Sequence, residues 1–136
     1  MKRRDFILLT AAALPAAPAF AAPHVDPVLP LYRRWLEARR LCLRLADLPG
    51  NGNYDAPESK EAEALESEAF SAMIDLTPNS MAGTAAIAHV LWDLDGPSVS
   101  PENPEYDERT NDPNNKQIRA IWRAASGQNG LPPRLD

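Results

Sequence analysis

Cysteine and histidine are scarce in this chain of 136 residues, which contains one cysteine and two histidines. A single cysteine cannot form a disulfide within the chain, so packing alone must stabilise the fold. A structural zinc site usually has about four ligands drawn from Cys and His. Because two histidines and one cysteine do not supply such a set, we expect no metal ion and no other cofactor.

Sequence motifs of common catalytic mechanisms are also missing. The chain has no glycine-rich phosphate loop, no cysteine pair for haem attachment and no Gly-x-Ser-x-Gly turn. His89 and Asp93 are four residues apart and could form an acid–base pair on one helical face, or His89 could simply relieve the charge of Asp93. Cys42 would be a nucleophile only beside His89, and a buried, unreactive thiol is the alternative. We therefore predict that the protein is not an enzyme.

Strand-forming residues are few, since Val, Ile and Thr together number 13. Ala, Leu, Glu and Arg fill the long intervals between prolines, which favours helices over strands. Acidic residues outnumber basic ones and give a formal net charge of −5. This charge argues against nucleic acid or an anionic membrane surface as a partner. The composition thus predicts a small all-α protein.

The first 21 residues have the layout of a cleaved signal peptide. A basic segment that includes Arg3 and Arg4 precedes an apolar run from Phe6 to about Leu14. Ala19 and Ala21 then supply small residues for cleavage before Ala22. The apolar run is shorter than the roughly 20 residues that cross a membrane, so we expect no stable membrane anchor after cleavage.

The pair Arg3-Arg4 followed by Phe6 resembles a twin-arginine signal peptide, which implies export to the periplasm. An ordinary general-secretory signal is the alternative, and it leads to the same compartment. Removing residues 1–21 changes the formal net charge from −5 to −7. What remains is long enough for one domain, which we place at residues 22–126, followed by a flexible tail at 127–136.

Fourteen prolines divide the chain, and each long interval between them is predicted to hold one helix. The four predicted helices run from Pro27 to Asp47, from Asp55 or Ala56 to Leu76, from Met81 to Leu94, and from Pro113 to Ser126. Expected end signals are Asp26, Ser80, Asp112 and Gly127. Residues 95–110 form an acidic, irregular connection. The predicted fold is therefore a small bundle of three main helices plus a short C-terminal helix.

Charge is segregated between the first two predicted helices, which carry net charges of opposite sign and should therefore pack together. Such segregation without reactive clusters predicts a non-catalytic interaction or accessory protein with a protein partner. Its contact surface would be the arginine face of the first helix, with Arg39 and Arg40, or the acidic connection 95–112.

The alternative is a small-molecule-binding protein with a pocket between the helices. Its lining would come from the indole rings of Trp35, Trp92 and Trp122, with His89 as a further candidate.

The domain also resembles a set of small helical proteins of alphaproteobacteria that carry similar signals and have no assigned activity. The resemblance covers residues 26–126. Its residues are Asp26-Pro27 with Tyr32 and Trp35, the run Leu45-Ala46-Asp47-Leu48-Pro49, and Thr77-Pro78 with Gly83. The resemblance implies an exported, all-helical fold and no particular mechanism.

Overall fold

The computed structural model describes residues 24–135, which form five helices and, within that range, no strand. The helices are α1 (Val28–Ala46), α2 (Pro57–Ile74), α3 (Met81–Asp95), α4 (Tyr106–Thr110) and α5 (Pro113–Ser126). The all-α prediction is confirmed, and the four predicted helices correspond to α1, α2, α3 and α5. The predicted signal peptide lies outside the described residues.

The short helix α4 corrects the prediction of an irregular connection at residues 95–110. The side-chain oxygen of Asn103 accepts a hydrogen bond from the Glu105 amide at 2.8 Å and turns the chain toward the helix. Thr110, which is buried, ends it and donates to the carbonyl of Asp107 at 3.0 Å. A helix of five residues is too short to show a repeating apolar pattern, which explains why the sequence does not reveal it.

The bundle consists of two helix pairs joined through α1 and α3. Helix α1 packs on α2, α3 packs on α5, and α1 also contacts α3. The neighbouring position of α1 and α2 agrees with their complementary charge. The buried core contains Val28 and Trp35 of α1, Ala69 and Met73 of α2, Ala86 and Val90 of α3, and Leu135.

The carboxylate of Asp26 connects the starts of α1 and α3. Asp26 is 2% exposed. Its Oδ1 accepts a hydrogen bond from the Val28 amide at 2.9 Å. Its Oδ2 accepts two hydrogen bonds, one from the Asn79 amide at 2.9 Å and one from the Ser80 hydroxyl at 2.6 Å. The Ser80 hydroxyl in turn accepts from the Gly83 amide at 3.0 Å and caps α3, as predicted. These donors, the Ser80 hydroxyl first, hold the pKa of Asp26 below its usual value against the opposing effect of burial.

The prediction of Asp26 as the N-cap of α1 is corrected by one residue, although its carboxylate still accepts a hydrogen bond from the Val28 amide at the helix start. The residue at the N-cap position is Pro27, and the helix begins at Val28. Gly83 lies so close to the Asp26 carboxylate that a Cβ atom there would overlap Oδ2. The close approach of the two helix starts thus depends on a glycine in the first turn of α3.

Residues 127–135, which we call the strap, correct the prediction of a flexible tail. Gly127 ends α5 in the left-handed conformation, with φ of 70°. The strap then returns to the bundle, where Pro132 is buried and Leu135 is 8% exposed as part of the core. Arg123 Nε donates to the carbonyl of Gly130 at 2.7 Å. The strap covers apolar surface that the helices leave exposed, and this burial outweighs the tendency of a chain end to fray.

Disrupting the contact between Asp26 and the start of α3 should destabilise the fold. Asp26→Ala leaves the amides of Val28 and Asn79 without their acceptor, so we expect unfolding at a lower urea concentration than wild type. Gly83→Ala should lower the free energy of unfolding by about 1–3 kcal/mol because the added methyl overlaps the carboxylate. Urea denaturation followed by circular dichroism measures both.

The matched controls are Asp47→Ala, at the exposed C-cap of α1, and Gly52→Ala, where a Cβ has no neighbour within 4 Å. Equal stability of Asp26→Ala and Asp47→Ala would show that the carboxylate contact does not stabilise the bundle.

Candidate functional site

Arg39 points into the bundle and links three helices. Its Nε lies 2.8 Å from Asp93 Oδ2 of α3, and its Nη1 lies 3.5 Å from Glu66 Oε1 of α2. The Arg39 side chain is 29% exposed and both carboxylate side chains are 17% exposed. The sequence predicts Arg39 on a contact surface together with Arg40. This prediction is wrong for Arg39, because its guanidinium pairs with Glu66 and Asp93 of the bundle. Because Asp93 forms an ion pair with Arg39, the acid–base pair of His89 and Asp93 that the sequence suggests is not formed.

Three other arginines of α1 face outward and form what we call the arginine stripe: Arg33, Arg40 and Arg44. All three are exposed. Their spacing of seven and four residues places them on one side of the helix, away from the buried Trp35. No ion pair within residues 24–135 involves any of them, whereas the neighbouring Arg34 pairs with Glu68 at 3.2 Å. The stripe therefore presents positive charge to solvent on an acidic protein.

His89 is buried, with 3% exposure, and connects α1, α3 and the strap. Its Nε2 lies 2.6 Å from the carbonyl oxygen of Pro133, and its Nδ1 lies 2.6 Å from the hydroxyl of Tyr32. Since a carbonyl only accepts, Nε2 carries the proton and Nδ1 accepts from Tyr32. Burial is the main cause that lowers the pKa of His89; Arg40 acts in the same direction, and the Pro133 carbonyl and Asp93 oppose it. The ring is therefore a neutral bridge with both nitrogens engaged.

The three tryptophans do not line one pocket. Trp35 is 0% exposed in the core, where it stacks on Tyr32 with ring centroids 6.3 Å apart. Trp122 borders a cleft of about 380 Å³ together with Tyr32 and His89. Trp92 borders a different cleft of about 330 Å³ beside Leu135. Pro133 of the strap lines both clefts, so the strap lies between them.

Cys42 lies on the α2 side of α1, next to Glu66. Burial first, and then a hydrogen bond with Glu66, raises the pKa of the Cys42 thiol to about 11. Both nitrogens of His89 are engaged by Tyr32 and Pro133, so a Cys42–His89 pair is not formed. The thiol is consequently protonated near neutral pH.

Comparisons with known protein families, with curated proteins and with solved structures find no match.

Across residues 24–135, no group of three or more His, Cys, Asp or Glu side chains is placed to hold a metal ion. In the described part of the chain, no helix combines the length and apolar character needed to cross a membrane.

The polar group Tyr32–His89–Pro133 is only partly visible in the sequence. His89 was a candidate, but neither Tyr32 nor the strap was assigned a role beside it. A signal was present in the strap itself, where Leu131, Pro132 and Leu135 give an apolar character that is unusual for a frayed end.

The bridging position of His89 predicts a loss of stability on mild acidification. Its pKa is lowered by folding, so unfolded His89 takes up a proton below about pH 6.5 while the folded form resists it. Stability is fully present above that pH and falls as the pH drops further, by at most about 1.4 kcal/mol per pH unit. Thermal unfolding between pH 8 and pH 5 measures this dependence.

His89→Gln should weaken this dependence, because an amide can bond to both partners without titrating in this range. His24→Gln removes the only other histidine, which is exposed, and should leave the wild-type profile unchanged. Asp26 contributes only at more acidic pH, below about 3.9. A His89→Gln profile that matches wild type would contradict the assignment.

Proposed function

We propose that the protein is a non-catalytic interaction protein that binds an acidic protein partner through the arginine stripe. The observation that carries this proposal is the division of the α1 arginines. Arg34 and Arg39 pair with carboxylates of the bundle, while Arg33, Arg40 and Arg44 are exposed without an ion pair among residues 24–135. Positive charge that forms no ion pair among residues 24–135 is available to a partner.

The arginine stripe is suited to recognising another surface because helix α1 fixes the distances between its three arginines. Arg33 and Arg44 are eleven residues apart, which on an α-helix corresponds to about 16 Å. Each exposed ion pair contributes only about 0–1 kcal/mol, so affinity requires several pairs or added apolar contact. A positive patch on a chain of formal net charge −5 also orients an acidic partner during encounter.

The other two predicted sites are less favourable. In the acidic connection 95–112, part of the charge is used locally, since Arg109 lies 3.5 Å from Glu105 within the same segment. The alternative of a small-molecule pocket relied on convergence of the three indoles, and Trp35, Trp92 and Trp122 lie in separate environments. For these reasons we favour the arginine stripe.

Charge reversal on the stripe should abolish partner binding without unfolding the protein. The test variant is Arg33→Glu/Arg40→Glu, and the matched control is Lys60→Glu/Lys116→Glu, which makes the same charge change at exposed positions of α2 and α5. Quantitative mass spectrometry of proteins cross-linked to each variant in periplasm is the measurement. We expect a partner that is retained by wild type and the control, depleted at least about tenfold with the test variant, and weakened by salt. The same set of partners for all three proteins would contradict the proposal.

We also propose that the protein acts in the periplasm after export by the twin-arginine route. This proposal is supported by the order of Arg3-Arg4, the apolar run and the small residues Ala19 and Ala21.

Replacing the arginine pair tests the export route. In Arg3→Lys/Arg4→Lys the positive charge is kept, so a general-secretory signal would still function, whereas we expect the precursor to accumulate in the cytoplasm. Cell fractionation and the intact mass of the wild-type product, expected to begin at Ala22, are the measurements. Normal export of the double-lysine variant would contradict the twin-arginine route. A wild-type product that keeps residues 1–21 in the cytoplasm would contradict export itself.

A further inference from the structure

The strap contacts the bundle in the manner of a bound peptide. Between Gly127 and Leu135 it contains no helix or strand. Two of its carbonyls accept hydrogen bonds from side chains of the helices, Gly130 from Arg123 Nε at 2.7 Å and Pro133 from His89 Nε2 at 2.6 Å. Pro132 and Leu135 are its buried side chains. Buried side chains three residues apart match the three-residue turn of a polyproline-type segment, and such a segment in a groove is a recurring mode of peptide binding.

The groove beneath the strap is aromatic. Pro133 lines a cleft with Tyr32 and Trp122 on one side and a second cleft with Trp92 and Tyr106 on the other. Two consecutive prolines favour an extended, polyproline-type backbone because the ring restricts both itself and the preceding residue. Aromatic-lined grooves with a hydrogen-bond donor are a recurring way of binding such segments, since little conformational entropy is lost.

The strap is also built so that it can leave the groove without unfolding a helix. It is connected to α5 through Gly127 and contains Gly130, with φ of 70° and 115°. Residues 127–130 are exposed. Because residues 128–135 take part in no helical hydrogen bond, the release of this part of the strap is a local event and not a global unfolding step.

We propose that this groove is a binding site for extended, proline-containing peptide segments with an apolar residue after the prolines, and that the strap is its intramolecular occupant. A partner segment of the same chemistry displaces the strap and takes over its bond to His89 Nε2. The site is formed by residues other than the arginine stripe, so the proposal is independent of the function assigned to that stripe.

Displacement is testable with a fluorescent peptide of the strap's own sequence, residues 127–136, added to the chain from residue 22 on. A groove that is mostly occupied binds a competing peptide with an affinity reduced by the fraction of open molecules. Leu135→Asp in the protein should release the strap and tighten peptide binding at least about tenfold over wild type in fluorescence anisotropy. Asn129→Ala, at an exposed strap position, is the matched control and should bind as wild type does.

A second variant avoids the core position of Leu135. The side chain of Arg123 is exposed, and Arg123→Ala removes only its hydrogen bond to the Gly130 carbonyl. We expect a smaller increase in peptide affinity than for Leu135→Asp. The control peptide carries Ala in place of both prolines and Asp in place of the leucine, and should bind at least about tenfold more weakly to both variants.

Three outcomes would overturn the proposal. The first is equal peptide affinity of Arg123→Ala and wild type when circular dichroism shows that Arg123→Ala remains helical. The second is equal binding of the strap peptide and the control peptide. The third is a concentration-dependent dimer of the wild-type chain that binds no peptide, which would assign the groove to the strap of a second copy.

Discussion

Trp35 lies in the middle of α1 with no exposed surface, and several elements together bury the apolar side of this helix. Helices α2 and α3 both pack on α1, and the strap contributes Leu135 to the same core. A stripe as wide as that of α1 cannot be covered by one neighbouring helix, since a helix contact buries only about a third of the circumference. The positions of α2 and α3 follow from this requirement, whereas α5 packs on α3 and α4 contacts α5. The strap contributes to the same burial, since Leu135 belongs to the core that contains Val28 and Trp35.

The polar contacts are arranged around this core. Asp26 holds the starts of α1 and α3 together, Arg39 ties α1 to α2 and α3, and His89 ties α3 to α1 and the strap. Each of these groups is largely buried and has partners in more than one element. A buried charge or imidazole is tolerated only when it is paired, so each one also specifies the packing arrangement in which its partners are present. The arginine stripe, which forms no ion pair among residues 24–135, is the surface for which we propose a role in recognition.

The sequence predicts the helices well because their signals are local. Prolines, the Ser80 cap and Gly127 act within one or two turns, and the all-α class and the four longer helices follow from them. Helix α4 was missed because five residues are too few to show a period. Among the site residues, the exposed position of Arg40 was predicted, but the inward position of Arg39 one residue earlier was not. Adjacent residues on a helix differ by about 100° in direction, so of two neighbouring arginines one can point into the bundle while the other points to solvent.

What the sequence alone determined is therefore the helical class, the ends of the longer helices and the excess of negative charge, since each depends on composition or on contacts within a few residues. Only the tertiary structure decided which arginines are used internally, that Asp93 pairs with Arg39 instead of His89, and that the strap is seated against Tyr32 and His89. These outcomes depend on partners far apart in the chain, as in the separations of 34 between Arg34 and Glu68, 54 between Arg39 and Asp93, and 44 between His89 and Pro133. The physical reason is that burial of the α1 stripe, a property of the whole bundle, determines which distant side chains meet.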